Sequence, residues 1–263
     1  MQLSGSTVLV TGATGGLGQA IARALSESGA ELILTGRRAD VLEPLAAELG
    51  ARAIAVDLSR ASAIGELVDA AGEVDILIAN AGIPAAGRLE SFTRKQVNRT
   101  LDVNLRAPVL LAHELLPSML ERDRGHLLFM SSIAGKTTVP GAPLYHTTKY
   151  GLRGFAAALR MDLHDSNVGV SCIFPGFIRD AGIFADSGAK LPPGAGTRSP
   201  EDVARAVIDA IENNRGEVDV ASLAQRGGAV IAGFAPDVAA SVVRKLGAVG
   251  ISEQMEESLR DKR

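Results

Sequence analysis

Thr11-Gly12-Ala13-Thr14-Gly15-Gly16-Leu17-Gly18 follows directly on a short β-branched run at 7–10 and opens a segment of helical period that reaches residue 28. A glycine where a strand becomes a helix permits a tight turn, a second lets the backbone approach a pyrophosphate, and a third allows the helix to pack closely on the sheet. The N–H groups and the dipole at the start of that helix favour a bound phosphate. The glycine spacing differs from G-x-G-x-x-G, and the Lys-Ser/Thr pair of a P-loop is missing. Because a strand precedes it, we interpret the stretch as the phosphate-binding turn of a dinucleotide site.

The same alternation of short β-branched runs and helical segments continues along the chain. It is typical of β-α-β units, and several runs are apolar throughout, as expected of strands buried on both sides. We therefore predict an α/β chain with a doubly wound Rossmann fold, in which helices cover both faces of a single parallel sheet of about seven strands. The predicted strands are 7–10, 31–35, 52–56, 75–79, 126–131, 169–174 and 217–220, and the predicted helices are 17–28, 41–49, 97–120, 144–164 and 200–214.

Composition excludes several classes of protein. A chain of 263 residues with 46% hydrophobic content is long enough for one large core, and its formal net charge of -3 offers no basic field for nucleic acid. The four histidines are scattered, so we expect no metal, and we expect Cys172 to be a small buried hydrophobe. No export signal opens the chain, and the apolar stretch at 227–235 is too short to span a membrane. We expect a cytoplasmic protein without an integral membrane segment.

Two stretches lack the regular alternation of strand and helix patterns. The first, 176–199, is rich in Gly, Ala and Pro but retains large apolar residues, which suits either a mobile lid over an apolar substrate or a packed surface loop. The second begins after Ala221, where Val238, Val242, Val243 and Leu246 fall on one helical face, as in core covering or a subunit contact. We predict a dinucleotide-binding catalytic domain over 1–221, and a helical extension over 222–263 packed on the same domain.

The end of the second strand bears on the choice of cofactor. An acidic side chain near this point accepts from the ribose 2′-hydroxyl of NAD, whereas an arginine can hold a 2′-phosphate. Arg37 and Arg38 stand here, and the first acid is Asp40. A charge-assisted contact from Arg37 favours NADP(H), with NAD(H) still possible, and the alternative is a pair of solvated arginines at the start of a surface helix.

Tyr145 and Lys149 lie four residues apart in a segment of helical period, so their side chains share one face. A free phenol exchanges protons poorly at neutral pH, and a nearby ammonium lowers its pKa. We therefore expect Lys149 to activate Tyr145. A Tyr-x-x-x-Lys match by itself also describes an ordinary exposed pair, so its context decides the interpretation.

Further motifs supply that context, in the order and spacing of one family. Asp57-Leu58 follows the third strand and Asn80-Ala81-Gly82 the fourth, Ser132 lies thirteen residues before Tyr145, and Pro175-Gly176 follows the sixth strand. With the glycine turn and the Tyr-Lys pair, they make residues 6–220 resemble the short-chain dehydrogenase/reductase family, as an NADP(H)-preferring member.

The resemblance implies a role for each matched residue. Tyr145 would be the general acid or base, and Ser132 would hold the substrate oxygen. Lys149 would bind the nicotinamide ribose and tune the tyrosine, while Asn104 would kink its helix and hold a water in a proton relay. The implied cofactor-binding residues are Gly12, Thr14, Gly15, Gly16, Leu17, Gly18, Arg37, Arg38, Asp57, Leu58, Asn80, Ala81, Gly82, Tyr145, Lys149, Pro175, Gly176 and Ile178.

Two positions near these motifs depart from the family pattern. Ala79 replaces the first asparagine of the frequent Asn-Asn-Ala-Gly motif. Asp180 stands near a threonine that contacts the nicotinamide carboxamide in many members, which puts that contact in question.

The resulting hypothesis is an oxidoreductase that moves a hydride between NADP(H) and a carbonyl or secondary alcohol on an apolar small molecule. A non-catalytic dinucleotide sensor or scaffold is the alternative from another class, and an epimerase or dehydratase is the alternative among enzymes. From the family we also expect a homodimer or homotetramer. The residues expected around the substrate are Ile83, Ile133, Phe177, Ile178, Ile183 and Phe184.

Overall fold

Seven parallel strands form one sheet in the computed structural model, which describes residues 1–191, 195–245 and 248–259. Numbered along the chain, the strands lie in the spatial order 3-2-1-4-5-6-7, which confirms the predicted doubly wound fold. Ligands of such sheets bind beyond the carboxyl ends of the strands, where the strand order reverses. Here the order reverses between the first and the fourth strand. The strands are β1 (Thr7–Thr11), β2 (Glu31–Gly36), β3 (Arg52–Ala55), β4 (Ile76–Ala79), β5 (Gly125–Met130), β6 (Val168–Pro175) and β7 (Glu217–Val220).

Successive residues of a strand point to opposite faces of the sheet. Both faces of this sheet are apolar, and helices cover each of them. Val8 and Val10 of β1 lie in one hydrophobic core, on one face of the sheet, whereas Leu9 between them lies in a second core on the other face. The helices are α1 (Gly16–Glu27), α2 (Ala39–Leu49), α3 (Ser62–Ala71), α4 (Arg94–Leu101), α5 (Ala107–Glu121), α6 (Pro143–Asp162), α7 (Gly182–Ser187), α8 (Pro200–Glu212), α9 (Leu223–Phe234), α10 (Pro236–Lys245) and α11 (Ala248–Leu259).

The prediction of one continuous α-helix over 97–120 is wrong. A π-helical turn over Asp102–Arg106 separates α4 from α5. The side chain of Asn104 inside this turn hydrogen bonds to the backbone of Ile83, which fixes the wider turn against the segment after β4.

The two irregular stretches contain further helices. In the 176–199 stretch, Ile178 pairs with Arg198 in an isolated bridge and α7 lies between them, while 192–194 lie outside the described residues. The lid over a substrate therefore stays a prediction. Beyond β7, α11 packs against α7. The predicted apolar face of the tail cannot be traced as a whole, since the Val242 and Val243 side chains and Leu246 lie outside the described residues.

Cys172 is buried, which confirms the prediction that it is a small buried hydrophobe. It lies inside β6, and burial raises the pKa of its thiol to about 12. In the part of the chain that the structure describes, no helix combines the length and the hydropathy needed to cross a membrane.

Candidate active site

A cavity of about 700 Å³ lies at the carboxyl ends of the strands, where the sheet order reverses. The glycine turn lines one end, and Ser132, Tyr145 and Lys149 line another part of the same space. All the residues assigned to the cofactor from the sequence border this cavity, and so do the six apolar residues expected around the substrate. The structure therefore brings together side chains from segments that lie far apart in the chain.

The glycine turn has the conformation that its residues predict. Gly12 has a φ of +67°, and a Cβ there would lie 2.7 Å from the Ala81 Cα, so a side chain would collide with the loop after β4. A Cβ on Gly18 would overlap the Gly12 carbonyl oxygen, and one on Gly16 would lie 2.5 Å from the Ala181 Cβ. Gly15 is different, since its nearest neighbour, the Gly12 oxygen, lies 3.5 Å from a Cβ built there. Packing thus requires three glycines, and Gly15 faces a more open side of the turn.

The start of α1 is free to receive an anion. Gly15 occupies the N-cap, and among the described residues no side chain caps the helix. Gly16, Leu17 and Gly18 in the first turn all border the cavity. Their N–H groups have no partners within the helix, so they can donate to a phosphate.

Thr11 joins the glycine turn to the loop after β4, a role that the motif comparison missed. Its Oγ1 accepts hydrogen bonds from the backbone N–H groups of Asn80 at 3.1 Å and Ala81 at 3.0 Å. In return, the Asn80 side-chain amide donates to the carbonyl oxygens of Thr11 at 3.0 Å and Gly12 at 3.3 Å. These bonds hold two walls of the cavity in a fixed relation. A buried hydroxyl at the end of a central strand is the sequence signal that could have identified Thr11.

Arginines surround the end of the cavity beside β2. Arg38 donates to the Thr14 carbonyl oxygen at 2.5 Å, so it braces the glycine turn. Arg37 is exposed and forms no hydrogen bond or ion pair with any residue that the structure describes. Arg99, which the sequence analysis did not identify, borders the cavity from α4. Burial acts to raise the pKa of Asp57, but hydrogen bonds from Ser59 and the charges of Arg37 and Arg99 lower it overall.

Ser132 lies at the end of β5 and contacts Tyr145. Its hydroxyl donates to the Pro175 carbonyl oxygen at 3.2 Å and accepts from the Ala134 N–H, also at 3.2 Å. A side-chain hydrogen bond also links Ser132 to the Tyr145 hydroxyl. The serine and tyrosine hydroxyls therefore converge on one point of the cavity.

Lys149 is buried one helical turn from Tyr145. Its ammonium lies 5.6 Å from the centre of the tyrosine ring and donates to the Met130 carbonyl oxygen at 2.8 Å. A Cβ built on Gly82 would lie 3.9 Å from the lysine Nζ, so the ammonium also stands beside the loop after β4. Burial lowers the pKa of Lys149 to about 8.

The expected direction of the Tyr145 pKa is wrong. Burial raises this pKa above its usual value, and the hydrogen bond with Ser132 opposes the shift without reversing it. The Lys149 ammonium is bonded to Met130 and is itself destabilised by burial, so its charge does not dominate at the phenol. Tyr145 is consequently a neutral proton donor at physiological pH.

Two hydrogen bonds hold the Asn104 side chain against the loop after β4. Its Oδ1 accepts from the Ile83 N–H at 2.8 Å, and its Nδ2 donates to the Ile83 carbonyl oxygen at 2.9 Å. A Cβ on Gly82 would lie 3.6 Å from the same Oδ1, which places Asn104 near the Lys149 ammonium. The residue thus braces the loop that faces Lys149.

Two neighbours of the reactive residues have positioning roles. The Ser131 hydroxyl donates to the Lys149 carbonyl oxygen at 2.9 Å, which ties β5 to α6. His146 contacts the backbone on both sides of the next loop, because Nδ1 lies 2.8 Å from the Ala134 oxygen and Nε2 accepts from the Val139 N–H at 3.0 Å. His146 thereby fixes the loop that follows Ser132.

Asp180 lies outside the cavity wall. Its side chain is 73% exposed and pairs with Arg179 at 3.4 Å, and its φ of +68° turns the chain before α7. The structure gives no contact between Asp180 and the reactive group, in line with the departure noted at this position.

A family model and a curated relative both match this chain over most of its length. The family model described as short chain dehydrogenase matches residues 6–191. The chain is 36% identical over 227 residues to the ketoacyl reductase HetN of Nostoc sp., an alignment that covers 83% of this chain and 79% of that protein.

Two solved structures show the same architecture. The closed form of a serine dehydrogenase complexed with NADP+ has a TM-score of 0.75 and 30% identity, and the match covers 83% of this chain and 95% of that one. The 3-ketoacyl-(acyl-carrier-protein) reductase from Brucella melitensis, complexed with NADH, has a TM-score of 0.75 and 26% identity over 83% of this chain and 98% of that one. Structural relatives thus bind either nicotinamide dinucleotide.

Proposed function

The chain belongs to the short-chain dehydrogenase/reductase family of oxidoreductases, and we propose that it transfers a hydride between NADP(H) and a carbonyl or secondary alcohol on an apolar small molecule. One observation carries the proposal. The Tyr145 hydroxyl, hydrogen bonded to Ser132 and one turn from Lys149, shares a cavity with the glycine turn. A proton donor and a phosphate-binding turn in one cavity are what dinucleotide-dependent carbonyl reduction requires.

The residues present fit a dinucleotide. The uncapped start of α1 and the open side of Gly15 suit a pyrophosphate, and Asp57 with Leu58 borders the cavity where an adenine would lie. Lys149 and the Asn80-Ala81-Gly82 loop would hold the nicotinamide half. Bound there, the cofactor would supply or accept the hydride.

The protein side chains manage the proton and the charge on the substrate oxygen. As the carbonyl oxygen gains negative charge, Tyr145 donates its phenolic proton to that oxygen. The Ser132 hydroxyl can exchange its 3.2 Å bond to Pro175 for a bond to the same oxygen. The Lys149 ammonium stabilises the phenolate left behind, and oxidation of an alcohol follows the same steps in reverse. Ile133, Phe177, Ile183 and Phe184 surround an apolar substrate and exclude water.

A screen of ketones and aldehydes, followed by NADPH absorbance, tests the proposed activity. Saturable NADPH oxidation with at least one apolar carbonyl is the expected result. Tight NADPH binding without turnover on a broad panel would instead favour a dinucleotide sensor. Isomerisation or dehydration with no net change in NADPH would favour an epimerase or dehydratase.

The preference for NADP(H) rests on Arg37. Its guanidinium is exposed at the cavity edge, and the charges of Arg37 and Arg99 both act to lower the pKa of Asp57, which borders the same cavity. We expect Arg37→Ala to weaken NADPH binding by about tenfold or more and NADH binding much less, because only NADPH offers a 2′-phosphate. Fluorescence titration of both cofactors measures this difference. Arg94→Ala, an exposed arginine at the start of α4, is the matched control, and equal losses for both cofactors in Arg37→Ala would refute the preference.

A further inference from the structure

The helix α9 has one side on the protein and one side in solvent. A capping box fixes its first turn, in which the Ser222 hydroxyl accepts from the Gln225 N–H at 3.3 Å and the Gln225 side chain accepts from the Ser222 N–H at 3.0 Å. Ala229 is buried, and the helix contacts the turn Ile133–Gly135 that follows Ser132. The helix is therefore seated in one orientation on the domain, so its solvent side is a defined surface.

The solvent side of α9 is apolar. Four large apolar side chains recur there at helical spacing, within an arc of about 100° around the helix. They are Leu223, Val230, Ile231 and Phe234, and we call them the apolar stripe. Phe234 is 89% exposed and Leu223 is 79% exposed, so water covers most of both side chains. A contiguous apolar surface of this kind marks a place where another molecule binds.

A gap lies in the middle of the apolar stripe, at Gly227. A Cβ built on Gly227 would have no neighbouring atom within 4 Å beyond the backbone of its own helix. Leu223 lies one turn before the gap and Ile231 one turn after it. Glycine weakens a helix, and no packing contact of the described residues requires one at this position. The gap is open to a side chain from outside the molecule.

The apolar stripe is large enough for a stable contact. Together with Val238, an exposed residue in the first turn of α10, it offers on the order of 500 Å² of apolar surface. Two copies packed through this surface would bury on the order of 1000 Å² from these side chains alone, which is the size at which specific interfaces begin. A second copy of the chain is therefore a sufficient partner.

The charges beside the apolar stripe favour a second copy over a lipid surface. A helix that lies on a membrane is rich in lysine and arginine on its polar face. Arg226 is the only charged residue of α9, and the next charge along the chain is Asp237 in α10. Both are exposed, one near the start of the stripe and the other beyond its end. An antiparallel second copy brings the arginine end of one helix to the aspartate end of the other, which is attractive.

An antiparallel pair of α9 helices also fits the largest side chain to the gap. In a two-fold pair whose axis passes between Val230 and Ile231, each residue faces the one at an equal distance on the other side of the axis. Gly227 lies three residues before Val230, and Phe234 lies three residues after Ile231. Phe234 therefore faces Gly227 of the partner subunit, and symmetry repeats this contact.

We propose that the apolar stripe of α9 is an interface between two copies of this chain, related by a two-fold axis between Val230 and Ile231. The Phe234 ring of each copy packs in the gap at Gly227 of the partner subunit. The inference does not depend on the proposed function, because no residue of α9 borders the candidate active site.

Sedimentation velocity of the full chain, over a wide range of protein concentration, tests the interface. In Phe234→Glu the contact would bury carboxylates without partners, so the dissociation constant of the pair rises by about thirtyfold or more. At a concentration where the unaltered protein is associated through this surface, the mass of the variant is half as large. Leu89→Glu, which places the same side chain at an exposed leucine outside α9, leaves the mass unchanged.

Disulfide formation between copies tests the two-fold arrangement. Cys172 is the only cysteine of the chain and is buried inside β6, so an added cysteine reports its own contacts. Val230→Cys lies next to the axis, and mild oxidation should give a covalent dimer on non-reducing electrophoresis. Leu223→Cys lies on the same exposed side of α9, but its counterpart is about 20 Å away across the axis, which is too far for a disulfide.

Each contrary result has a stated meaning. A single-chain mass for the unaltered protein at every concentration, or the same mass in Phe234→Glu as in the unaltered protein, overturns the interface. Equal crosslinking of Leu223→Cys and Val230→Cys overturns the two-fold arrangement. If the Phe234→Glu mass is unchanged but this variant alone fails to float with vesicles of phosphatidylcholine and phosphatidylglycerol, the stripe binds lipid instead. Should circular dichroism show that Phe234→Glu is unfolded, the Val230→Cys crosslink decides.

Discussion

At the scale of single residues, burial rather than neighbouring charge sets the protonation of the reactive group. The Tyr145 phenol keeps its proton because burial raises its pKa, and the Lys149 ammonium is the more acidic of the two, with a pKa lowered to about 8. A spacing of four residues on a helix shows that two side chains share a face. It does not show how much water each side chain loses, which is why the expected lowering of the Tyr145 pKa is wrong.

The lowered pKa of Lys149 predicts a pH dependence. Lys149 is charged below a pH of about 8 and neutral above it, so the phenolate formed during reduction loses its stabilising charge as the pH rises. We expect kcat/KM for carbonyl reduction to fall as the pH passes through about 8, since this parameter reports groups of the free enzyme. Lys149→Arg keeps its charge at high pH and should lack this descending limb, even at a lower overall rate. A profile that is level from pH 7 to pH 10 in the unaltered protein would contradict the assignment.

At the scale of secondary-structure elements, the central strands and their flanking helices follow from periodicity, whereas the π turn and the contact of α11 with α7 do not. The π turn at Asp102–Arg106 has nearly the same apolar spacing as an α-helix, and only the long-range bonds from Asn104 to Ile83 distinguish it. The helix α3 was missed, although Ala63, Ile64, Leu67 and Ala71 repeat at helical spacing and are buried. The contact of α11 with α7 joins segments that are distant in the chain, and no local pattern encodes it.

The pairing of β5 with β6 predicts an acid sensitivity of the fold. His126 on β5 is buried with its Nε2 2.8 Å from the Ser171 hydroxyl on β6, and burial lowers its pKa to about 3, with the charges of the N-terminal ammonium and Arg160 acting in the same direction. The unfolded chain binds this proton near a pH of about 6.5. The stability that neutral His126 contributes is therefore complete above that pH and is lost as the pH falls towards 3.

Urea unfolding at pH 7 and pH 4.5 measures this contribution. We expect the drop in urea midpoint between the two pH values to be smaller in His126→Gln than in the unaltered protein, because the variant lacks the titrating imidazole. His164→Gln, which replaces an exposed histidine, should behave like the unaltered protein. The same drop in all three proteins would show that His126 does not titrate with folding.

At the scale of the whole molecule, the order of the strands in the sheet brings the residues of the site together. Reversal of strand order between β1 and β4 puts the glycine turn, the Asn80 loop and the end of β5 on one edge of the sheet. The motifs of the sequence fall at these strand ends, so most of the site could be predicted once a parallel sheet was inferred. Thr11 opens the glycine motif, but its hydrogen bonds with Asn80 and Ala81 exist only in the assembled chain. The position of Arg99 near Asp57 likewise depends on where α4 packs, and no motif encodes it.

The central claim is that Tyr145 donates the proton in a dinucleotide site, and single-turnover oxidation of bound NADPH by Tyr145→Phe tests it most directly. The variant removes one oxygen atom and leaves the cavity shape nearly unchanged. We predict that NADPH binds to it with an affinity within about threefold of the unaltered protein, while the rate of carbonyl reduction falls by about a hundredfold or more, since a positioned proton donor contributes on that order. A rate in Tyr145→Phe equal to that of the unaltered protein would contradict the account.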